Sequence, residues 1–257
     1  MTSPSPDLDA IDAVAARRWF YEFDLPDGTR TRSHLPPGVE KIHVTRLALM
    51  EQALDAAVGR ECGALTALDL ACHQGWFSLH LARRGFREVL GVDGRDEHLA
   101  DARLMAGLQG VTTFRTLKLD LEEAKATDIG VHDVTLMLGL LYHLENPVRV
   151  LRLARAVTRR TLIIESQVVP HLSGMVDWGA YTFQRPMKGA FGIIDESEET
   201  HAPEASLHGI CLAPSIEALA WLLHRVGFKR VERLMPAPDG YEQLVGHKRA
   251  MFAAHVE

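Results

Sequence analysis

The chain is poor in cysteine: Cys62, Cys72 and Cys211 are the only three in 257 residues. Three scattered thiols make neither a disulfide framework nor a zinc site, so a reducing, cytoplasmic setting is expected. Long apolar runs are also missing. The longest, around 134–141, is only strand length, and no membrane span is expected. Residues 1–12 carry acids and prolines where an export signal would have a basic region leading into an apolar one, so none is expected. Positive charge is short as well, the formal net charge being −6. That balance counts against nucleic acid as a partner, because such affinity rests on cations meeting phosphate. The nearest approach to a basic stripe is Arg149, Arg152, Arg155, Arg159 and Arg160, mostly on one helical face, and a solvated outer face is the plainer reading. His171, His201 and His208 lack the spacing of metal ligands, and no metal is expected. No internal repeat is visible.

What is present is a globular composition, 47% hydrophobic, enough for a sizeable core. Residues 18–31 read as a β-hairpin around Pro26-Asp27-Gly28, and 42–58 have helical periodicity. Short apolar runs then alternate with amphipathic helices. The runs fall at 67–71, 89–93, 113–119, 133–138 and 161–165, with helices at 76–84, 96–108 and 146–157. Asn146-Pro147 marks a helix start, and Gly85 and Gly110 sit where helix ends need positive φ. A further helix over 214–226, closed by Gly227, precedes two antiparallel strands at 229–235 and 248–255. Such alternation signals a parallel sheet, here finished by a hairpin. The stretch 167–213 lacks sustained periodicity but holds Trp178, Tyr181, Phe183 and Phe191; a loop that long is usually functional, often a lid.

Leu68-Asp69-Leu70-Ala71-Cys72-His73-Gln74-Gly75-Trp76-Phe77 places a tight turn between the first strand and the first sheet helix. Ligands of open α/β sheets bind beyond the carboxyl ends of the strands, and small residues such as Ala71 and Gly75 let backbone amides approach them. Ala71 and His73 stand where glycines are usual. A pyrophosphate needs those glycine amides more than a phosphate-free cofactor does, so a dinucleotide is disfavoured. Asp93, ending the second strand, is placed to accept ribose hydroxyls, and Asp120, after the third, to meet an adenine amino group. A helix cap or surface acid is the alternative for each.

The series 68–75, Gly-Val-Asp-Gly at 91–94, Leu-Asp-Leu at 119–121 and Leu-Gly-Leu-Leu-Tyr-His-Leu-Glu-Asn-Pro at 138–147 resembles the class I S-adenosylmethionine-dependent methyltransferases. The likeness is greatest to the bacterial tRNA wobble-uridine carboxymethyl- and methoxy-type enzymes, and continues through Leu-Ile-Ile-Glu at 162–165, Ala-Pro-Ser-Ile-Glu-Ala-Leu at 213–219 and His-Lys-Arg-Ala at 247–250. The resemblance implies a Rossmann-like sheet, mostly parallel with a C-terminal antiparallel hairpin, a packed N-terminal extension over 1–45, and a methyltransferase domain over 46–257 with 167–213 as substrate lid. It implies S-adenosyl-L-methionine as cofactor, with S-adenosyl-L-homocysteine as product. Expected cofactor contacts are Asp69, Ala71, His73, Gly75, Trp76, Phe77, Asp93, Gly94, Asp120, Leu121, Leu138, Gly139 and Tyr142. In carboxymethyl-transferring relatives the residues matching Tyr142 and Arg249, with an upstream lysine that has no clear match here, grip a carboxylate on the donor; ordinary S-adenosylmethionine is therefore expected.

Methyl transfer from a sulfonium demands alignment and, for some acceptors, removal of a proton. His143 is the first candidate base, a loop-bonded neutral histidine being its alternative, and Glu165 is the second, an ion-pair role being the alternative. Arg249 could bind an acceptor anion. Tyr21, with Trp19 and Phe20, and Trp178, Tyr181 and Phe183 are candidates for an aromatic cover; ordinary packing is the alternative for each. The expected acceptor is a small molecule methylated on oxygen or nitrogen: a metabolite, natural product or sugar. A tRNA wobble-uridine modifying transferase, a non-catalytic cofactor-binding homologue and, more remotely, a nicotinamide oxidoreductase remain as alternatives, and a homodimer is left open.

Overall fold

The computed structural model describes residues 13–14, 16–177, 184–196, 206 and 209–257. Its strands make a mostly parallel seven-stranded sheet with flanking helices, drawn from two compact units, 1–121 and 122–257.

In the first unit, helix α1 (Lys41–Val58) precedes β1 (Thr66–Leu70), α2 (Trp76–Arg83), β2 (Glu88–Asp93), α3 (Asp96–Leu108) and β3 (Phe114–Lys118). The three strands are parallel, in the order β1-β2-β3. Every residue of β1 is buried, as expected for a strand covered on both faces. Gly85 and Gly110 follow α2 and α3 at positive φ, as their positions required. The expected N-terminal hairpin is present in reduced form. Main-chain bonds join Leu25 to Thr29 and Thr31 to Phe23, but the Phe23 amide bonds to the Thr31 hydroxyl and no strand extends from the turn.

The second unit begins with the short helix α4 (Ala126–Ile129) and β4 (His132–Leu138). A single 3₁₀ turn, Leu141–His143, leads into α5 (Pro147–Val157) and β5 (Thr158–Gln167). Pro147 occupies the first turn of α5, but the Asn146 side chain makes no capping bond. The buried Glu122 carboxylate does that work, accepting the amides of Glu145 and Asn146. The stretch read as irregular contains two antiparallel ribbons: β6 (Met175–Asp177) with β7 (Gln184–Pro186), and β8 (Phe191–Asp195) with β9 (Ile210–Pro214). Helix α6 (Ile216–Val226), capped by Ser215 and closed by Gly227 in the left-handed region, leads to β10 (Arg230–Leu234), helix α7 (Glu242–Val245) and β11 (Arg249–His255). β11 runs antiparallel to both β5 and β10, giving the expected reversed end of the sheet. All seven residues of β4 and of β11 are buried.

Candidate functional site

In the first unit the turn after β1 is shaped by backbone conformation. Ala71, His73 and Gly75 alternate in the left-handed region, at φ 60°, 51° and 79°. Two of these residues carry a Cβ, a conformation that costs roughly 1–2 kcal/mol each and persists only where the surroundings enforce it. Three bonds enforce it here: Cys72 N–H to Val92 O at 2.9 Å, Gly75 N–H to Cys72 O at 2.8 Å, and His73 N–H to Asp93 Oδ2 at 2.9 Å. Gly91 lies beneath the turn, where an added Cβ would come within 2.8 Å of both Cys72 Sγ and Phe114 Cε2.

Asp93 therefore serves the turn as well as the strand end. Its Oδ1 accepts the Arg95 amide at 3.0 Å and lies 3.3 Å from His98 Nδ1. Burial pushes its pKa up, but the hydrogen bonds and charge of its neighbours outweigh that and hold it below the usual carboxylate range. Asp69 sits deeper, 3% exposed, and accepts the Ser78 hydroxyl at 2.7 Å, tying β1 to the first turn of α2. Burial, aided by the charge of Asp93 and opposed by the Ser78 bond, raises it to about 7. The His73 ring packs 3.7 Å from the His98 ring, with both its nitrogens buried. Burial first, and then the proximity of His98, depress its pKa well below the ordinary value, so it is neutral.

The N-terminal segment lies on this turn. Gln74, 3% exposed, accepts the Phe20 amide at 2.8 Å and donates to Arg18 O at 2.9 Å and Asp101 Oδ2 at 2.8 Å. Tyr21 is buried and stacks on Trp76 with ring planes 5° apart, while Trp76 Nε1 donates to Glu22 O. Phe77 meets Trp76 edge-on. Trp19 is buried beside Phe23, its indole bonded to Val14 O, which is core packing. Gly94 and Asp120 are half-buried at the ends of β2 and β3, and Leu121 is buried.

In the second unit, Leu138 ends β4, and the Gly139 amide donates to Glu165 O at 3.1 Å, fastening the ends of β4 and β5 together. Tyr142, Glu165 and Arg249 come together. Arg249 is 8% exposed; it donates to Glu165 Oε1 at 3.1 Å, to the Tyr142 hydroxyl at 3.3 Å and, through Nε, to Gln243 Oε1 at 2.8 Å. Burial alone would lower its pKa, but Tyr142 and Glu165 raise it, so the guanidinium stays charged. Glu165, fully buried, thus has the ion-pair partner that was the alternative to a catalytic role. His143 Nδ1 lies 2.5 Å from Glu196 Oε2. Trp178 and Tyr181 lie outside the described residues, as do His201 and His208, while His171 pairs with Glu217. Among the described residues there is no cluster fit to hold a metal ion, and no helix is long and apolar enough to cross a membrane.

Sequence reasoning missed Gln74, His98 and Glu196. Gln74 stood within the turn motif, but its partners Phe20, Arg18 and Asp101 lie far from it in sequence and nothing local marks them. His98 lies five residues after Asp93, close enough to have been considered with it, whereas Glu196 acts on His143 across 53 residues with no local pattern to mark it.

A mostly parallel seven-stranded sheet with an antiparallel last strand is the class I methyltransferase architecture, and that is the fold of this chain. Residues 67–161 match the methyltransferase-domain family. The N-terminal domain of EvdMO1, crystallised in the presence of SAH and D-fucose, superposes over 100% of both chains with a TM-score of 0.70 at 21% identity. Magnesium protoporphyrin IX methyltransferase from Synechocystis PCC 6803, with bound SAH, superposes over 88% of this chain and 90% of its own with a TM-score of 0.55 at 15% identity. In sequence, ubiquinone biosynthesis O-methyltransferase of Acinetobacter baumannii (strain AYE) is 24% identical over 162 residues, 62% of this chain and 61% of the relative. The tRNA U34 carboxymethyltransferase of Marinobacter nauticus is 29% identical over 106 residues, 40% of this chain and 32% of the relative. The chain thus spans less than two thirds of the length of these curated relatives.

Proposed function

We propose that the chain is an S-adenosylmethionine-dependent methyltransferase that moves a methyl group to an oxygen or nitrogen of a small molecule: a metabolite, natural product or sugar. The observation that carries this reading is the turn after β1, in which Ala71 and His73 hold the left-handed conformation where a pyrophosphate-binding loop keeps glycines. Their side chains disfavour the close approach of phosphate to the backbone amides, while Asp93, ending β2 and bonded to this turn, is an acceptor for ribose hydroxyls. That combination suits a nucleoside cofactor without phosphate. Asp93 and Gly94 are assigned to the ribose, with the turn 71–75 against the rest of the nucleoside. When bound, S-adenosylmethionine supplies an activated methyl group. His143 is assigned as the proton acceptor and the insertion as the acceptor-binding element.

A small acceptor is supported by the fate of the arginine stripe. Arg149 donates to Glu122 O and Ala124 O, Arg155 to Gly227 O and Thr158 O, and Arg159 and Arg160 face Asp133. It is also supported by the structural relative crystallised with a sugar present. The likeness to a tRNA carboxymethyltransferase keeps a second reading alive, and Tyr142 and Arg249 do meet. Here, however, Glu165 already neutralises Arg249, which favours the ordinary donor over a carboxylated one.

Calorimetric titration with S-adenosylmethionine tests the cofactor assignment. Micromolar binding is expected for the wild type, with a loss of at least tenfold in Asp93→Ala, corresponding to about 1.4 kcal/mol. Absence of heat from a folded wild type would overturn the assignment.

A further inference from the structure

The insertion reaches the candidate base through the Glu196 side chain. Glu196 follows β8 and is 6% exposed. A single oxygen, Oε2, meets three donors: His143 Nδ1 at 2.5 Å, the Ser206 amide at 3.0 Å and the Cys211 thiol at 3.2 Å. Burial would raise this carboxyl, but the His143 bond, the charge of that ring when protonated, and the bonds from Cys211 and Ser206 outweigh it and hold it below the ordinary carboxylate range. Cys211 lies on β9, and burial followed by Glu196 pushes its thiol up to about 12, so it remains a donor. The next residue, Leu212, donates its amide to Leu144 O at 3.1 Å, seating the β8–β9 ribbon beside the 3₁₀ turn that carries His143.

We infer that Glu196 is the positioning residue of His143, fixing the imidazole with its proton on Nδ1 so that Nε2 is the proton-accepting atom toward a hydroxyl acceptor. This rests on the reading of the chain as a methyltransferase with His143 as base. An ionised carboxylate has only lone pairs to offer, so the nitrogen that faces it carries the hydrogen. Neutral imidazole has one N–H, which leaves the lone pair on Nε2. His143 is 13% exposed at its side chain, more than Glu196, so the pair is ordered from a buried carboxylate to a partly accessible ring.

The chemistry balances. The acceptor oxygen forms a bond to the methyl carbon of the sulfonium donor as the carbon–sulfur bond breaks, its electron pair returning to sulfur. The hydroxyl proton passes to Nε2, and the resulting imidazolium is stabilised by Glu196. A neutral hydroxyl is a weak nucleophile and gains most from losing its proton as it attacks, whereas a neutral amine is nucleophilic enough to attack first and lose its proton afterwards. The dyad therefore suits oxygen acceptors, and it gives the insertion a role in assembling the base.

The test is nitrogen-15 NMR of histidine-labelled protein, with His143 assigned through His143→Gln. Its long-range couplings report which ring nitrogen bears the proton, whatever the acceptor. The wild type is expected to show the Nδ1–H tautomer, Glu196→Ala to revert to predominantly Nε2–H, and Glu196→Asp to restore Nδ1–H in part. A wild type already in the Nε2–H form overturns the proposal, even if the alanine variant does not fold. A folded Glu196→Ala that keeps the Nδ1–H form overturns it too. Calorimetry on the same samples separates the two readings: a wild type with the Nδ1–H tautomer that binds no S-adenosylmethionine overturns the methyltransferase reading and leaves the positioning role standing.

Discussion

Asp69 shows how one side chain can couple the site's support to pH. Its folded-state pKa of about 7 lies above the 3.8 of an ordinary aspartate, so the native protein holds this proton more tightly than the unfolded chain does. The stability that follows is complete below about pH 4 and is lost as pH rises through 7. Asp69→Asn keeps a neutral acceptor for Ser78 at every pH. In urea unfolding, the variant should therefore gain on the wild type by about 3 kcal/mol between pH 5 and 8.5, at 1.36 kcal/mol per unit. A difference that does not change with pH would show that the carboxyl ionises normally despite its burial. The position of Asp93 was legible in the sequence because a lone acid closing a strand has a fixed place. Asp69 was read as a cofactor contact, and its bond to Ser78 was not legible, since that depends on how α2 seats over β1.

At the scale of elements, local punctuation carried well. Gly85, Gly110 and Gly227 fall at helix ends in the left-handed region, and Pro147 opens α5. The insertion's ribbons escaped notice because strands of three to five residues give no sustained alternation. The capping of α5 by Glu122 escaped because the acid lies 24 residues before the amide it holds. The N-terminal segment was read as a hairpin from its turn, whereas Gln74 and Trp76 fasten it from the turn after β1 and the start of α2. Gln74→Leu keeps the bulk of the side chain and removes the acceptor of the Phe20 amide. Hydrogen exchange at Phe20 should accelerate by at least tenfold, with a stability loss of about 1–3 kcal/mol for the stranded amide. Unchanged protection of Phe20 would mean that the aromatic contacts of Phe20 and Tyr21 hold the segment without it.

At the scale of the whole molecule, net charge and the placement of cations bear on the same question. A chain with a formal charge of −6 binds a polyanion only through a local concentration of cations. The one stripe that the sequence offers is largely engaged: Arg149 and Arg155 turn inward to carbonyl oxygens, and Arg159 and Arg160 share the buried Asp133. Arg152, Arg159 and Arg160 are exposed, the last two beside the Asp133 carboxylate, and so small an excess of positive charge releases too few counterions to hold a folded RNA. Total tRNA should therefore show a dissociation constant weaker than roughly 10 μM in about 50 mM salt, with little dependence on salt above that, in an electrophoretic or fluorescence titration. Mass spectrometry of tRNA nucleosides after incubation with protein and S-adenosylmethionine should show no new species. Tight binding that weakens steeply with salt would mean that cations beyond this stripe form an RNA-binding surface, and would turn the acceptor search toward RNA. Weak, salt-insensitive binding leaves oxygen-bearing small molecules as the acceptors to screen, because the only charge the protein would then need to complement is that of the reaction itself.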